Sequence, residues 1–90
     1  MGYDFRWNTW NVEHIAKHGV TPDEAEYVVN HASAPYPRFQ GDEKCLVRGQ
    51  TVAGRYLQAI YVFDPADEVF VIHARPLTDR EKRRLRRSKR

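Results

Sequence analysis

The sequence predicts an α+β fold: a small antiparallel sheet with two N-terminal helices packed on one face and a basic C-terminal helix. Three observations lead there. Helical spacing of apolar residues is confined to the first third of the chain, strand patterns fill residues 44–75, and a capping signal at Thr78 opens a run dominated by arginine. Helices and strands that segregate along a chain mark an α+β arrangement rather than an alternating α/β one. Ninety residues with 41% hydrophobic content support one modest core. No linker-like or low-complexity stretch divides them, so residues 1–90 are read as a single domain.

Phe5 to Trp7 reads as a short extended piece, and Asn8 or Thr9 caps a brief helix that runs to His18 and stops at Gly19. The next start signal is stronger. Thr21-Pro22-Asp23-Glu24 offers a capping hydroxyl, a proline at the first helical position and a glutamate three residues after the cap, with Val20 placed to staple onto Ala25. Ala25, Val28, Val29 and Ala32 then share a helix face until Ala34-Pro35-Tyr36-Pro37 ends it. Strands follow over Lys44 to Thr51 and Arg55 to Phe63, joined at Val52-Ala53-Gly54, and over Val69 to Arg75 after a turn at Asp64-Pro65-Ala66-Asp67. The predicted order is (β)ααβββα, with the strands in an antiparallel meander. Strict alternation in the last strand puts Phe70, Ile72 and Ala74 on one face, and Val69, Val71, His73 and Arg75 on the other. With helices on the first face, His73 and Arg75 point into an open one. Thr78-x-x-Glu81 is a second capping box, with Leu77 and Leu85 as packing contacts of the helix it starts.

Charge is divided unevenly along the chain. Residues 78–90 hold eight of the fifteen Lys and Arg and two acids, Asp79 and Glu81, for a net +6 (8 − 2); the other 77 residues carry seven bases and ten acids, net −3. A cationic end on a mildly acidic body suits a polyanion such as nucleic acid. The plainer account is a solvated helix face, and self-repulsion predicts that Arg86 to Arg90 fray. The sequence has no run of 18 apolar residues and no apolar stretch near its N-terminus, which predicts a soluble, cytoplasmic protein with no membrane partner. Cys45, the lone cysteine, has no partner for an internal disulfide and sits in an apolar strand pattern, so core packing is its expected role.

Few residues carry recognisable chemistry. His14 and His18 are four apart but lack the glutamate of a zinc-hydrolase helix, and Lys17 between them adds positive charge, so they read as a helix end meeting its terminal carbonyls. His31 has the same reading. No phosphate-cradling glycine loop, cysteine cluster or serine elbow is present, and no metal or cofactor is called for. What remains is His73 with Arg75, supported by Lys17, Arg48 and Arg80. Metal-independent RNA cleavage needs a base for the 2′-hydroxyl proton, an acid for the departing 5′-oxygen and cations for the added negative charge. Histidine serves the first two roles near neutral pH, and arginine offers a planar double donor to phosphate oxygens. Arg83, Arg84 and Arg87 are candidates for binding the RNA backbone. Tyr61 is the candidate for stacking a base, although packing is the default reading for both it and Tyr56. Trp7 and Trp10 bracket the first helix and read as core or rim anchors.

Phe5-x-Trp7-Asn8, Lys17-His18-Gly19-Val20 followed by Asp23-Glu24-Ala25, Gly54-Arg55 leading into the central strand, and Ala74-Arg75 ahead of the final helix form a series covering nearly the whole chain. In this order they resemble the BrnT-type toxin family, which is related in fold to the RelE ribonucleases. The resemblance implies a RelE-like fold and the toxin of a type II toxin–antitoxin pair, a ribonuclease acting on an RNA substrate. It also implies a cognate ribbon-helix-helix antitoxin that silences the toxin, binds the operator and joins it in a heterotetramer. The chain departs from the family pattern at Asn8, where Asp is usual, at His14, where Asn is common, and at Leu85, where an aromatic is frequent. His73 stands where the family often has a small serine-like residue, so its candidacy rests on chemistry alone, whereas Arg75 is supported by both.

Three functions follow from this reading. One is a metal-independent endoribonuclease with RNA laid across the open sheet face and its phosphate held by Arg75 and the final helix. A second is a toxin-like module that binds RNA or DNA without cutting it. The third is a protein-interaction domain whose basic helix meets an acidic partner.

Overall fold

The computed structural model describes residues 2–88. Its first helix, α1 (Thr9–Ala16), opens with a reciprocal cap: the Asn8 side chain accepts from the Asn11 N–H (3.1 Å), and the Asn11 side chain accepts from the Asn8 N–H (2.8 Å). Asn11 also donates to the Arg6 carbonyl, which satisfies its buried amide. At the other end Gly19 adopts φ +71°, a conformation that suits glycine, and two bonds close the turn: Gly19 N–H to Ala16 O and Val20 N–H to Ile15 O. Ile15 and Val20, brought together by this turn, both enter the core.

Helix α2 (Pro22–Asn30) follows at once, with the capping box predicted between Thr21 and Glu24 and with proline in its first turn. Arg55 ties this helix start to the sheet. Its guanidinium donates to both Glu24 carboxylate oxygens (2.8 and 3.0 Å) and to the Gly19 carbonyl (3.0 Å).

The sheet is a four-stranded antiparallel meander, β1 (Arg38–Phe39), β2 (Cys45–Gln50), β3 (Tyr56–Phe63) and β4 (Val69–Pro76), in the spatial order β1-β2-β3-β4. The three long strands match the predicted ones. The two-residue β1 was not foreseen, and the expected N-terminal strand is reduced to one parallel bridge between Phe5 and Val69. One sheet face presents Val47, Leu57, Ala59, Tyr61, Val69, Val71 and Ala74 to Ile15, Val20, Ala25, Val28 and Val29 of the helical layer, forming the core. Burying this apolar surface is the main favourable contribution to the fold.

The face assignment within β4 differs from strict alternation. Ile60 pairs with His73 but Tyr61 pairs with Val71, so Ile72 is an extra residue opposite the Ile60/Tyr61 step. Such a bulge reverses the alternation once. Val69 and Val71 before it, and Ala74 after it, are therefore buried on the same side. His73 and Arg75 fall on the opposite side together with Phe70, and not with Val69 and Val71.

The last helix, α3 (Asp79–Ser88), starts from the predicted Thr78/Glu81 box: Glu81 N–H donates to Thr78 Oγ1 (3.2 Å) and Thr78 N–H to the Glu81 carboxylate (2.8 Å). Glu81 and the buried Leu85, four residues apart, turn inward. The helix continues through Ser88 and includes Arg86 and Arg87; residues 89 and 90, also expected to fray, lie outside the described residues. Among the described residues no helix is long and apolar enough to cross a membrane.

Leu57 is central to the core and Val52 is at the exposed hairpin tip. Urea unfolding is expected to show Leu57→Ala costing about 2–5 kcal/mol, through lost burial and a residual cavity. Val52→Ala should stay within about 0.5 kcal/mol of the parent.

Candidate active site

Trp10, His14 and His18 recur every four residues, so they form one stripe along α1 and the turn that follows it, while Asn11 and Ile15 occupy the buried stripe. Helix α1 packs beside β4 at the edge of the sheet, which brings this polar and aromatic stripe to the side of β4 that carries Phe70 and His73. His73 is half-buried there. Its ring centroid is 5.3 Å from that of His18 and 6.2 Å from that of His14, both edge-on, and Trp10 stacks on His14 at 4.9 Å. Three imidazoles thus converge from two elements 55 residues or more apart in sequence.

Their proximity has an electrostatic consequence. Burial pushes the His73 pKa below its ordinary value of 6.5, and repulsion from His18, Arg75 and His14 lowers it further. His73 therefore stays neutral to a lower pH than an isolated imidazole does. Among the described residues no group of three or more His, Cys, Asp or Glu is arranged to hold a metal ion.

Next to this cluster on the same sheet face lies a row of polar side chains, Arg48 on β2, Gln58 on β3 and Arg75 on β4, aligned by the strand register. Gln58 is buried, and its amide oxygen accepts from Arg48 Nε (3.0 Å) and Arg75 Nη2 (3.4 Å). Glu81 closes the row from above. It takes two bonds from Arg75 (2.8 and 2.9 Å) and one from Arg48 (3.2 Å), as well as serving the Thr78 cap. The Arg75 hydrogen bond is the main reason its carboxyl is held down to about 2, and the Thr78 N–H and the Arg48 charge act in the same direction. Arg75 is reciprocally held in its charged form by Glu81.

This network corrects the picture of an open sheet face. α3 lies over the Arg48–Gln58–Arg75 row, so the guanidiniums of Arg48 and Arg75 are already satisfied by a carboxylate and are not presented bare to a phosphate. Tyr61 also requires correction as an RNA-stacking residue. It is 1% exposed, on the helix-facing side of β3, where burial raises its phenol pKa well above the ordinary range. A base cannot reach it.

Lys17 is exposed beside His18, and Arg80, Arg83, Arg84 and Arg87 are exposed on α3, spaced as a stripe opposite Glu81 and Leu85. These five cations form no ion pair among the described residues and remain available to an anionic partner. Arg86 turns the other way, its guanidinium 5.3 Å from the Tyr56 ring centroid and its Nε directed at the Tyr56 hydroxyl (3.4 Å). His31 matches its helix-end reading, contacting the Tyr27 carbonyl at 2.9 Å and stacking on the Tyr27 ring. Clefts elsewhere include one of about 340 Å³ between α2 and the β2–β3 hairpin tip and one of about 320 Å³ between that tip and α3. Neither includes a histidine.

Trp10, His14 and His18 as partners of His73, and Glu81 and Gln58 as organisers of the arginines, emerge only in the folded chain. The four-residue spacing of Trp10, His14 and His18 was the available signal. Comparison of the chain with protein-family models, with curated proteins and with solved structures returned no match.

Because the folded Glu81 pKa lies below its ordinary value of 4.5, its contribution is present above pH 4.5 and is lost as pH falls towards about 2. Glu81→Gln should remove on the order of 2 kcal/mol at neutral pH, after allowance for the solvent that reaches the pair. Denaturant titrations across this range should show the wild type losing that margin on acidification and the variant changing much less.

Proposed function

We propose that this chain is a metal-independent endoribonuclease of the BrnT toxin type, with the His14–His18–His73 cluster as its reaction centre. The observation that carries the reading is the convergence of three imidazoles, with the neutral form of one of them favoured and the exposed Lys17 adjoining His18 in the chain. His73, as the neutral member, takes the proton of a 2′-hydroxyl. The 2′-oxygen attacks the adjacent phosphorus, and the bond from phosphorus to the 5′-oxygen breaks. A protonated His14 or His18 delivers a proton to that oxygen, leaving a 2′,3′-cyclic phosphate on one fragment and a 5′-hydroxyl on the other. Lys17 and the Arg80, Arg83, Arg84 and Arg87 stripe neutralise the backbone, and Arg75 adds a fixed positive charge near His73. In the toxin reading, a ribbon-helix-helix antitoxin covers this cationic surface and assembles with the toxin in a heterotetramer.

One observation favours a second reading, a nucleic-acid-binding module without catalysis. Glu81 occupies Arg75, the arginine near His73, and Arg48 on β2, so the remaining affinity would come from exposed side chains acting through charge. Such binding falls steeply as salt rises.

The reading is tested by incubating purified protein with end-labelled RNA in EDTA. Wild type is expected to leave 5′-hydroxyl and cyclic-phosphate ends, with His73→Ala slower by about 10²–10⁴-fold. Since His73 acts as the base and its pKa is lowered, the acid limb of the cleavage–pH profile, along which the rate rises with pH, should have its midpoint below 6.5. Intact RNA that is nevertheless retained at low salt would select the binding module.

A further inference from the structure

Trp10 is the large apolar side chain that the fold leaves exposed beside the imidazole cluster. The indole is 54% exposed, yet it stands within an ordered series of flat groups. Its ring is nearly parallel to that of His14 (centroids 4.9 Å apart, 9°) and to that of Phe70 (6.0 Å, 14°), and the Arg6 guanidinium lies 4.2 Å from the Phe70 centroid. Arg6 is fixed in turn by Asp64 at 2.6 Å. The series Arg6, Phe70, Trp10, His14 therefore begins at an anchored ion pair and ends at a member of the reaction centre. Backbone phosphates need cations, which the chain supplies elsewhere, and they gain little from an indole. Nucleobases do gain: aromatic rings and arginine planes are the surfaces on which unpaired bases stack, with little dependence on base identity. In a duplex those base faces are covered by neighbouring pairs.

We propose that Trp10, supported by Phe70 and Arg6, is a base-stacking subsite for single-stranded RNA, holding the nucleotide next to the phosphate that meets His14, His18 and His73. This rests on the ribonuclease reading of the cluster, and it narrows the substrate to an unpaired segment. The subsite sets strand preference, and the adjacent histidines act on the backbone.

The test uses the full chain and three probes. The first is a single-stranded 2′-O-methyl oligonucleotide, whose blocked hydroxyl prevents cleavage. The second is that strand annealed to its complement, and the third is inorganic polyphosphate of matched charge, which has no bases. The single strand should quench an indole emission component that is missing from Trp10→Phe, where only Trp7 reports. Trp10→Ala should bind the single strand about tenfold more weakly, the scale of one lost stacking contact, while Trp10→Phe keeps most of the affinity. Polyphosphate should bind wild type and Trp10→Ala alike, and matching urea-unfolding transitions of the two proteins establish that the variant is folded. Equal affinity of wild type and Trp10→Ala for the single strand, or equal affinity of wild type for single strand and duplex, would overturn the subsite while leaving RNA cleavage to stand or fall separately. Failure of wild type to bind any oligonucleotide would overturn both the subsite and the reading beneath it.

Discussion

The arrangement of this molecule depends on one extra residue in β4. Val71 and Ala74 are three positions apart, and in a regular strand they would face opposite sides of the sheet. The bulge at Ile72 places both against the helical layer, together with Val69, and sends His73 and Arg75 to the far side. Without it, either the core would lose Ala74 or the imidazole would be driven into the core beside Val71. A one-residue change of register has this effect along the whole remaining strand, which is why bulges recur next to functional sites.

What the bulge presents on the far side, α1 and α3 then divide. Helix α1 sits at the β4 edge with Asn11 and Ile15 buried, so its Trp10, His14 and His18 stripe reaches Phe70 and His73. Helix α3 covers the adjoining row through Glu81 and Leu85. One carboxylate thus serves as helix cap, ion-pair partner of two arginines and anchor of an otherwise cationic helix. Its pKa records that concentration of positive charge. A polyanion arriving at Arg48 and Arg75 must compete with Glu81, whereas one arriving at Lys17 or at the outer stripe of α3 meets no such competitor among the described residues. The acid in the inner stripe therefore docks the helix, while the bases of the outer stripe stay exposed, within ten residues.

Much of this was legible locally. Both Thr-initiated capping boxes, the glycine stop after α1 and the three long strands follow from hydrogen-bonding and steric preferences that act within a few residues, and they stand where the sequence indicates. The two residues of β1 carried no alternation to detect, coming directly after Pro35-Tyr36-Pro37. The β4 bulge has no glycine to announce it, because the requirement for it comes from the core, where Val71 and Ala74 must both be buried. Tyr61 failed as a stacking residue for the same reason: alternation shows that Tyr56 and Tyr61 face opposite ways, but only packing decides which face is covered. The candidate site was legible in part. His73 and Arg75 stood out by chemistry, while the meeting of His73 with His14 and His18 is a tertiary event that spacing on one helix could suggest only as a metal pair. The capture of Arg75 by Glu81 was likewise hidden, since Glu81 already had a sufficient role as a cap.

The central claim is that burial, reinforced by the nearby His18, Arg75 and His14, favours the neutral, basic form of His73. The most direct test is a proton NMR titration of the four histidines, assigned by single His→Gln variants, from about pH 4 to about pH 9, a range that brackets the ordinary imidazole value. His73 should titrate below 6.5, and its midpoint should move up towards that value when either His18 or His14 is replaced by Gln. A His73 that titrates at or above the ordinary value, and is indifferent to both replacements, would show that the cluster does not act as a unit and would contradict the account.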